Sequence, residues 1–227
     1  EFRRVLFRSA EAREPDEVMR QFLDPSRAFP LTDPPDYEPS ASQSIAAIAA
    51  REGREPMDVF YDAVIADDGR AFVMRPLLNF TEGNLDAVRE MLMHPTTTWG
   101  LGDGGAHAGT TCDASTPTTM LTHWARDRAD GIPLETVVHK MTARTAELYG
   151  LGDRGRVLPG MRADLNVIDH DNLRLHAPVM VHDLPADARR FVQRASGYVA
   201  TLVAGRVTMR EGVETGARPG ALIRGGR

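Results

Sequence analysis

Residues 95–107 read PTTTWGLGDGGAH, and the fold depends on how they are read. A run of strand-formers, Thr96, Thr97, Thr98, Trp99 and Leu101, ends at Asp103, which is set among Gly100, Gly102, Gly104 and Gly105. A single carboxylate placed where a buried strand gives way to a glycine-rich loop is how a barrel enzyme exposes a catalytic group at its mouth. The same letters admit two other readings. Asp-Gly is ordinary turn chemistry, because glycine supplies positive φ and aspartate bonds its own backbone. Gly100, Gly102 and Gly105 also fit G-x-G-x-x-G directly after a strand, the pattern of a dinucleotide-binding turn in an oxidoreductase. That motif should open a helix at once and meet an acidic residue about 20 residues on. Here the polar AHAGTTCDASTP follows, broken by Pro117.

Upstream, helical and strand signals alternate. One helix is predicted from Ser44, with Ile45, Ile48 and Ala49 on one face and Gly53 as its stop; a second starts at Pro56 with Met57, Phe60 and Val64 at helical spacing. Residues 71–78, AFVMRPLL, form a short strand candidate in which Pro76 weakens a central placement. Asn84 caps a further helix with Leu85, Val88 and Leu92 inward, closed by His94 and Pro95. Helix, strand, helix, strand, helix is the order of a parallel sheet with helical crossovers, an α/β class. Two strands cannot close such a sheet alone, so the chain reads as cut on its N-terminal side. Residues 10–42 are proline-rich and acidic, an irregular connection. Residues 1–9, EFRRVLFRS, read as a non-native leader, since VLFRS can be written as the end of a sequencing adapter.

Downstream, residues 117–128 are predicted helical with Met120, Leu121 and Trp124 inward, and Pro133 opens a helix carrying Leu134, Val137, Val138, Met141 and Leu148. Beyond Gly150 the texture changes to turn residues and alternating strands. Residues 163–168 form one strand, and residues 198–209, YVATLVAGRVTM, a hairpin turning at Ala204 and Gly205. The expected organisation is therefore a leader at 1–9, an α/β portion at 10–150 and a small β module with its tail at 151–227.

Composition narrows the function classes. A net charge of −5 without a basic stripe argues against nucleic acid, and no apolar run in the 227 residues approaches a membrane span. Lys140 is the sole lysine among 27 basic residues; it sits in a helical pattern beside His139 and is expected on a solvated face. Cys112, the one cysteine, excludes an internal disulfide. The compartment stays open.

The run from Lys140, KMTARTAELYGLGDRGRVLPGMRADLNVID, resembles the C-terminal hallmark of metal-dependent amidohydrolases, D-R-G-x-x-x-P-G-x-x-A-D-L, which falls here on residues 153–165. ATLVAGRVTMREG, TGARPGALIRG and DLPADARRFVQRA are similar to the N-acyl-D-amino-acid deacylase branch, the D-aminoacylase-like amidohydrolases of family 3. The resemblance covers nearly all of residues 40–227. It implies the C-terminal portion of a (β/α)8 TIM barrel, with strands seven and eight, plus part of a small β-sandwich. It also implies a hydrolase of non-peptide C–N bonds that acts on a small molecule, an N-acyl-D-amino acid first and a cyclic amide next.

Under the resemblance Asp103 stands at the end of strand eight as general base and acid beside zinc, one or two ions, and is itself a candidate ligand. Zinc lowers the pKa of bound water to about 7 and polarises the carbonyl while a carboxylate carries the proton. None of the seven histidines forms H-x-H or HExxH, so the other ligands are expected in a missing N-terminal part. His107, four residues past Asp103, is a candidate for the mouth of the site. Arg126 is a candidate grip for a substrate carboxylate, with Arg128 beside it, although a solvated helix face explains both equally well. Cys112 reads as a small buried or pocket-wall residue. The isolated chain is expected to be inactive and poorly stable, and a non-catalytic α/β module working through its sheet edge is the remaining alternative.

Overall fold

Ser44 opens the first long helix in the way its side chain predicts. In the computed structural model, which describes residues 24–76, 78–100, 109 and 114–223, its Oγ accepts the Ala47 amide at 3.2 Å and so satisfies a donor that the first helical turn leaves over. Helix α1 (Ile45–Glu52) stops at Gly53, whose φ of 64° is the left-handed conformation that glycine adopts freely. Helix α2 (Pro56–Gly69) begins at a proline, whose missing amide costs nothing in the first turn, and leaves helical geometry at Ala66, Asp67 and Asp68. Ala28, Ile45, Ala49 and Val59 form a core on which Ile48, Phe60, Ala63 and Val73 pack. The buried face of α2 is thus centred on Val59, while Val64 stays 41% exposed.

Strand β1 (Phe29–Pro30) pairs antiparallel with strand β2 (Val73–Met74). β1 arises within the proline-rich stretch predicted to be irregular, and β2 ends before Pro76, which has no amide to continue a ladder. The Phe29 ring meets Phe80 edge-on at 6.3 Å. These elements belong to one compact unit, made of residues up to Thr32 and Asp36–Leu85.

The second unit contains Asp33–Pro35 and Asp86–Arg227. Helix α3 (Asp86–Met93) is followed, after the stretch through Gly100, by helix α4 (Thr116–Thr119), which runs directly into π-helical turns at Met120–Asp127. There the Arg128 amide reaches back five residues to the His123 carbonyl at 2.9 Å. Met120, Leu121 and Trp124 are buried, as their spacing predicts. The helix predicted to continue from Pro133 to Leu148 is instead two, α5 (Leu134–Met141) and α6 (Ala143–Leu148), with Thr142 at φ −117° and ψ −86° between them. Thr142 Oγ1 donates to the Val138 carbonyl at 2.7 Å and Thr145 Oγ1 to that of Lys140 at 2.8 Å, so hydroxyls serve the helix end where the ladder stops. Leu148, predicted inward, is 56% exposed as a result.

The β module holds strands β3 (Leu165–Ile168), β4 (Arg174–Leu175), β5 (Val179–Leu184), β6 (Ala188–Val192), β7 (Ala195–Ser196), β8 (Tyr198–Val203), β9 (Arg206–Arg210) and β10 (Val213–Glu214). Four of them form a sheet in the order β10-β9-β8-β3, while β5 pairs with β6 and β4 with β7. Ala204 and Gly205 have φ of 48° and 75°, the paired positive values of a two-residue hairpin turn. Every ladder among the described residues is antiparallel. The parallel sheet expected from the helix and strand alternation is therefore not found among them, because β2 pairs with β1 and residues 97–100 form no strand. The architecture is mixed α/β, and no helix among the described residues is long and apolar enough to cross a membrane.

Candidate functional site

Asp103, His107 and Cys112 lie outside the described residues. The site is therefore built from what holds the chain on either side of them. On the upstream side the hold is Lys140, which the helical pattern placed on a solvated face and which is in fact 8% exposed. Its Nζ donates to the carbonyls of Leu92, His94 and Thr97, the latter two at 2.9 and 3.4 Å. It also lies 5.7 Å from the centroid of the Trp99 ring, whose Nε1 donates to Leu92 O at 3.2 Å. Burial, and after it the charge of Arg144, push the Lys140 ammonium below the usual lysine range. The Thr97 carbonyl, which a strand ladder would use, is turned to this ammonium, and Thr98 and Trp99 after it make no ladder.

On the downstream side Ser115 Oγ donates to Gln193 Oε1 at 2.5 Å, and Gln193 Nε2 donates to the His176 carbonyl at 2.9 Å. The hydroxyls of buried Thr118 and of Tyr198 are 2.9 Å apart. The chain leading to Asp103 and the chain returning from it are each tied to a different element of the same unit.

Both arginines of the following helical turns are engaged with protein groups. Arg126 is an exposed residue, yet its Nη1 donates to the carbonyls of His170 and Leu173 at 2.6 and 2.9 Å, and its Nε to Asp127 at 2.7 Å. Arg128 bonds Asp86 and Asp130 and sits 5.2 Å from the Trp124 ring centroid. Each therefore holds backbone or side chains of the unit together. Among the described residues, no group of three or more His, Cys, Asp or Glu side chains could hold a metal ion.

The motif at residues 153–165 folds as a latch around Asp164. Arg162 Nε approaches both of its carboxylate oxygens, at 2.9 and 2.8 Å, Arg154 Nη1 reaches Oδ2 at 3.1 Å, and the Ala204 amide donates to Oδ1 at 2.8 Å. The Gly205 amide adds a bond to the Ala163 carbonyl at 2.9 Å, so the motif grips the tip of the β8–β9 hairpin. Burial raises the Asp164 pKa, but the Ala204 amide and the Arg162 and Arg154 side chains outweigh it, leaving the carboxyl below its usual range. A depressed carboxylate contributes stability that is complete above the unfolded pKa of about 3.9 and is lost as pH falls through the folded value. Asp164→Asn is expected to be less stable than wild type by about 1–3 kcal/mol at pH 7, with the gap closing below about pH 4. Thermal melts of the two proteins from pH 7 to pH 3 read this directly, and a gap as wide at pH 3 as at pH 7 would contradict it.

The amidohydrolase family matches residues 8–209 of the chain. A D-aminoacylase of Alcaligenes xylosoxydans xylosoxydans is 36% identical over 104 residues, covering 46% of this chain and 19% of that enzyme. An uncharacterized protein of Mycobacterium bovis is 31% identical over 181 residues, covering 75% of this chain and 28% of that protein. Among solved structures, a D-aminoacylase crystal structure is similar at 25% identity and a TM-score of 0.44, with 84% of this chain and 36% of that one covered. The chain thus spans 19–28% of the length of these curated relatives.

Proposed function

The chain belongs to the amidohydrolase family, and we propose that it forms part of a metal-dependent hydrolase that cleaves the amide bond of an N-acyl-D-amino acid, with Asp103 as its proton carrier. The observation that supports this best is the extent of the family match, residues 8–209, which takes in both the Asp103 stretch and the motif at residues 153–165. Similarity to a D-aminoacylase over 104 residues supports the choice of substrate class.

In this reading the Asp103 carboxylate takes a proton from the attacking water. It then gives that proton to the amine nitrogen as the C–N bond breaks. His107 stands at the mouth in this reading. Arg126, the candidate grip for a substrate carboxylate, has its Nη1 on the His170 and Leu173 carbonyls and its Nε on Asp127. Zinc, as one or two ions, is the cofactor that the resemblance brings with it. The described residues do not fit a metal ion, and the proton chemistry rests on Asp103 alone.

The test is amine release by protein expressed from the full reading frame of its gene, offered N-acetyl-D-amino acids, their L forms and a cyclic amide. Release from the D forms, lost on treatment with a chelator and restored by zinc, is the expected result. Turnover of the cyclic amide alone would move the substrate class. No release from any of them, with measurable NAD(P) binding, would replace the hydrolase reading by the dinucleotide one.

A further inference from the structure

The hold of Lys140 on the chain that leads to Asp103 has no counterpart in the hydrolytic chemistry itself. An ammonium carries three donors and no acceptor, and here all three find backbone carbonyls, those of Leu92, His94 and Thr97. Two of these belong to the end of α3 and the turn after it, where the helix leaves carbonyls without partners and its dipole favours a positive charge. The Thr97 amide closes the same turn onto the His94 carbonyl at 3.1 Å. Trp99 is fixed twice, by its indole N–H on Leu92 O and by the ammonium beside its ring. A methionine of similar length would pack in the same place without the desolvation of a charge; what only the cation supplies is a defined position for residues 92–99. Asp103 follows Trp99 by four residues.

We infer that Lys140 is a positioning residue for the proposed reaction, holding residues 92–99, the described stretch that precedes Asp103 in the sequence. The inference rests on the reading of Asp103 as proton carrier. Misplacing a reacting group by about 1 Å costs on the order of 10²-fold in rate. Lys140→Met in the full, metal-loaded protein should therefore lower kcat by about 10²-fold with KM little changed. Lys140→Arg, which keeps a charged multiple donor, should recover most of that loss. Amide hydrogen exchange at Thr97, whose N–H closes the turn onto the His94 carbonyl, should speed up in Lys140→Met while the amides of β8 exchange as in wild type, separating a local release from general loosening.

If the methionine variant does not fold, Lys140→Gln, which retains two amide donors, takes its place with the same pattern expected. Unchanged exchange at Thr97 would overturn the inference, as would an active wild type whose kcat the substitution leaves intact. A wild type that releases no amine at all would remove the reading of Asp103 and the catalytic part of the inference with it. In that case accelerated exchange would still distinguish a Lys140 clamp from none.

Discussion

Replacing Asp103 by asparagine is expected to leave the protein folded and to lower kcat for N-acyl-D-amino-acid hydrolysis by about 10²–10⁴-fold. Asparagine is the informative choice because the two readings of this position predict opposite results for it. In a turn, asparagine replaces aspartate almost without cost, since it tolerates the left-handed region and makes the same bonds to its own backbone. As a proton carrier it fails, because an amide neither accepts the proton of the attacking water nor delivers one to the leaving amine. The loss should fall on kcat, with KM nearly constant, because the interaction is made in the transition state. Steady-state rates on one N-acetyl-D-amino acid measure both. A variant as fast as wild type would reduce Asp103 to a turn residue.

Gly155→Ala carries the second large effect, a loss of about 2–5 kcal/mol of stability, and Gly160→Ala is its control. Gly155 has φ of +87°, and a Cβ there would stand 2.7 Å from Ala146 Cβ, 3.0 Å from the Thr142 carbonyl oxygen and 3.1 Å from Ala143 Cα. Two of these are backbone atoms at the junction of α5 and α6, which cannot swing aside as the end of a flexible side chain can. Gly160 has nearly the same φ, +86°, with nothing within 4 Å of the added atom. Both alanine variants therefore bear the cost of a left-handed backbone, about 1 kcal/mol. Only Gly155→Ala also forces the motif away from the helix junction. Thermal or denaturant unfolding of the two variants separates these contributions. Equal losses would mean that the close approach at Gly155 carries no weight.

Much of the fold is legible where the cause is local. Ser44 and Gly53 bound α1 through one side chain and one backbone angle, and Ala204 with Gly205 turns the β8–β9 hairpin through two. What is not legible depends on partners far along the chain. β1 sits among prolines because its partner, Val73–Met74, comes much later, and Asp164 becomes a latch only when the Ala204 amide reaches it from 40 residues away. Lys140 escapes its helical pattern for a related reason: its partners are backbone carbonyls, which leave no letter in a sequence. The signal that does exist is its rarity, one lysine in a chain that otherwise uses arginine. Asp103 and His107 rest on the sequence and on the family, since they lie outside the described residues.

That rarity has a chemical consequence. The chain carries one side-chain amine, and the fold keeps it 8% exposed with its ammonium on three carbonyls. Reagents that acylate lysines need a free, deprotonated amine, so the folded chain offers them almost no side chain to attack. Covalent modification at Lys140 then waits on the lifting of α5 from residues 92–97, and its rate becomes a clock for that opening.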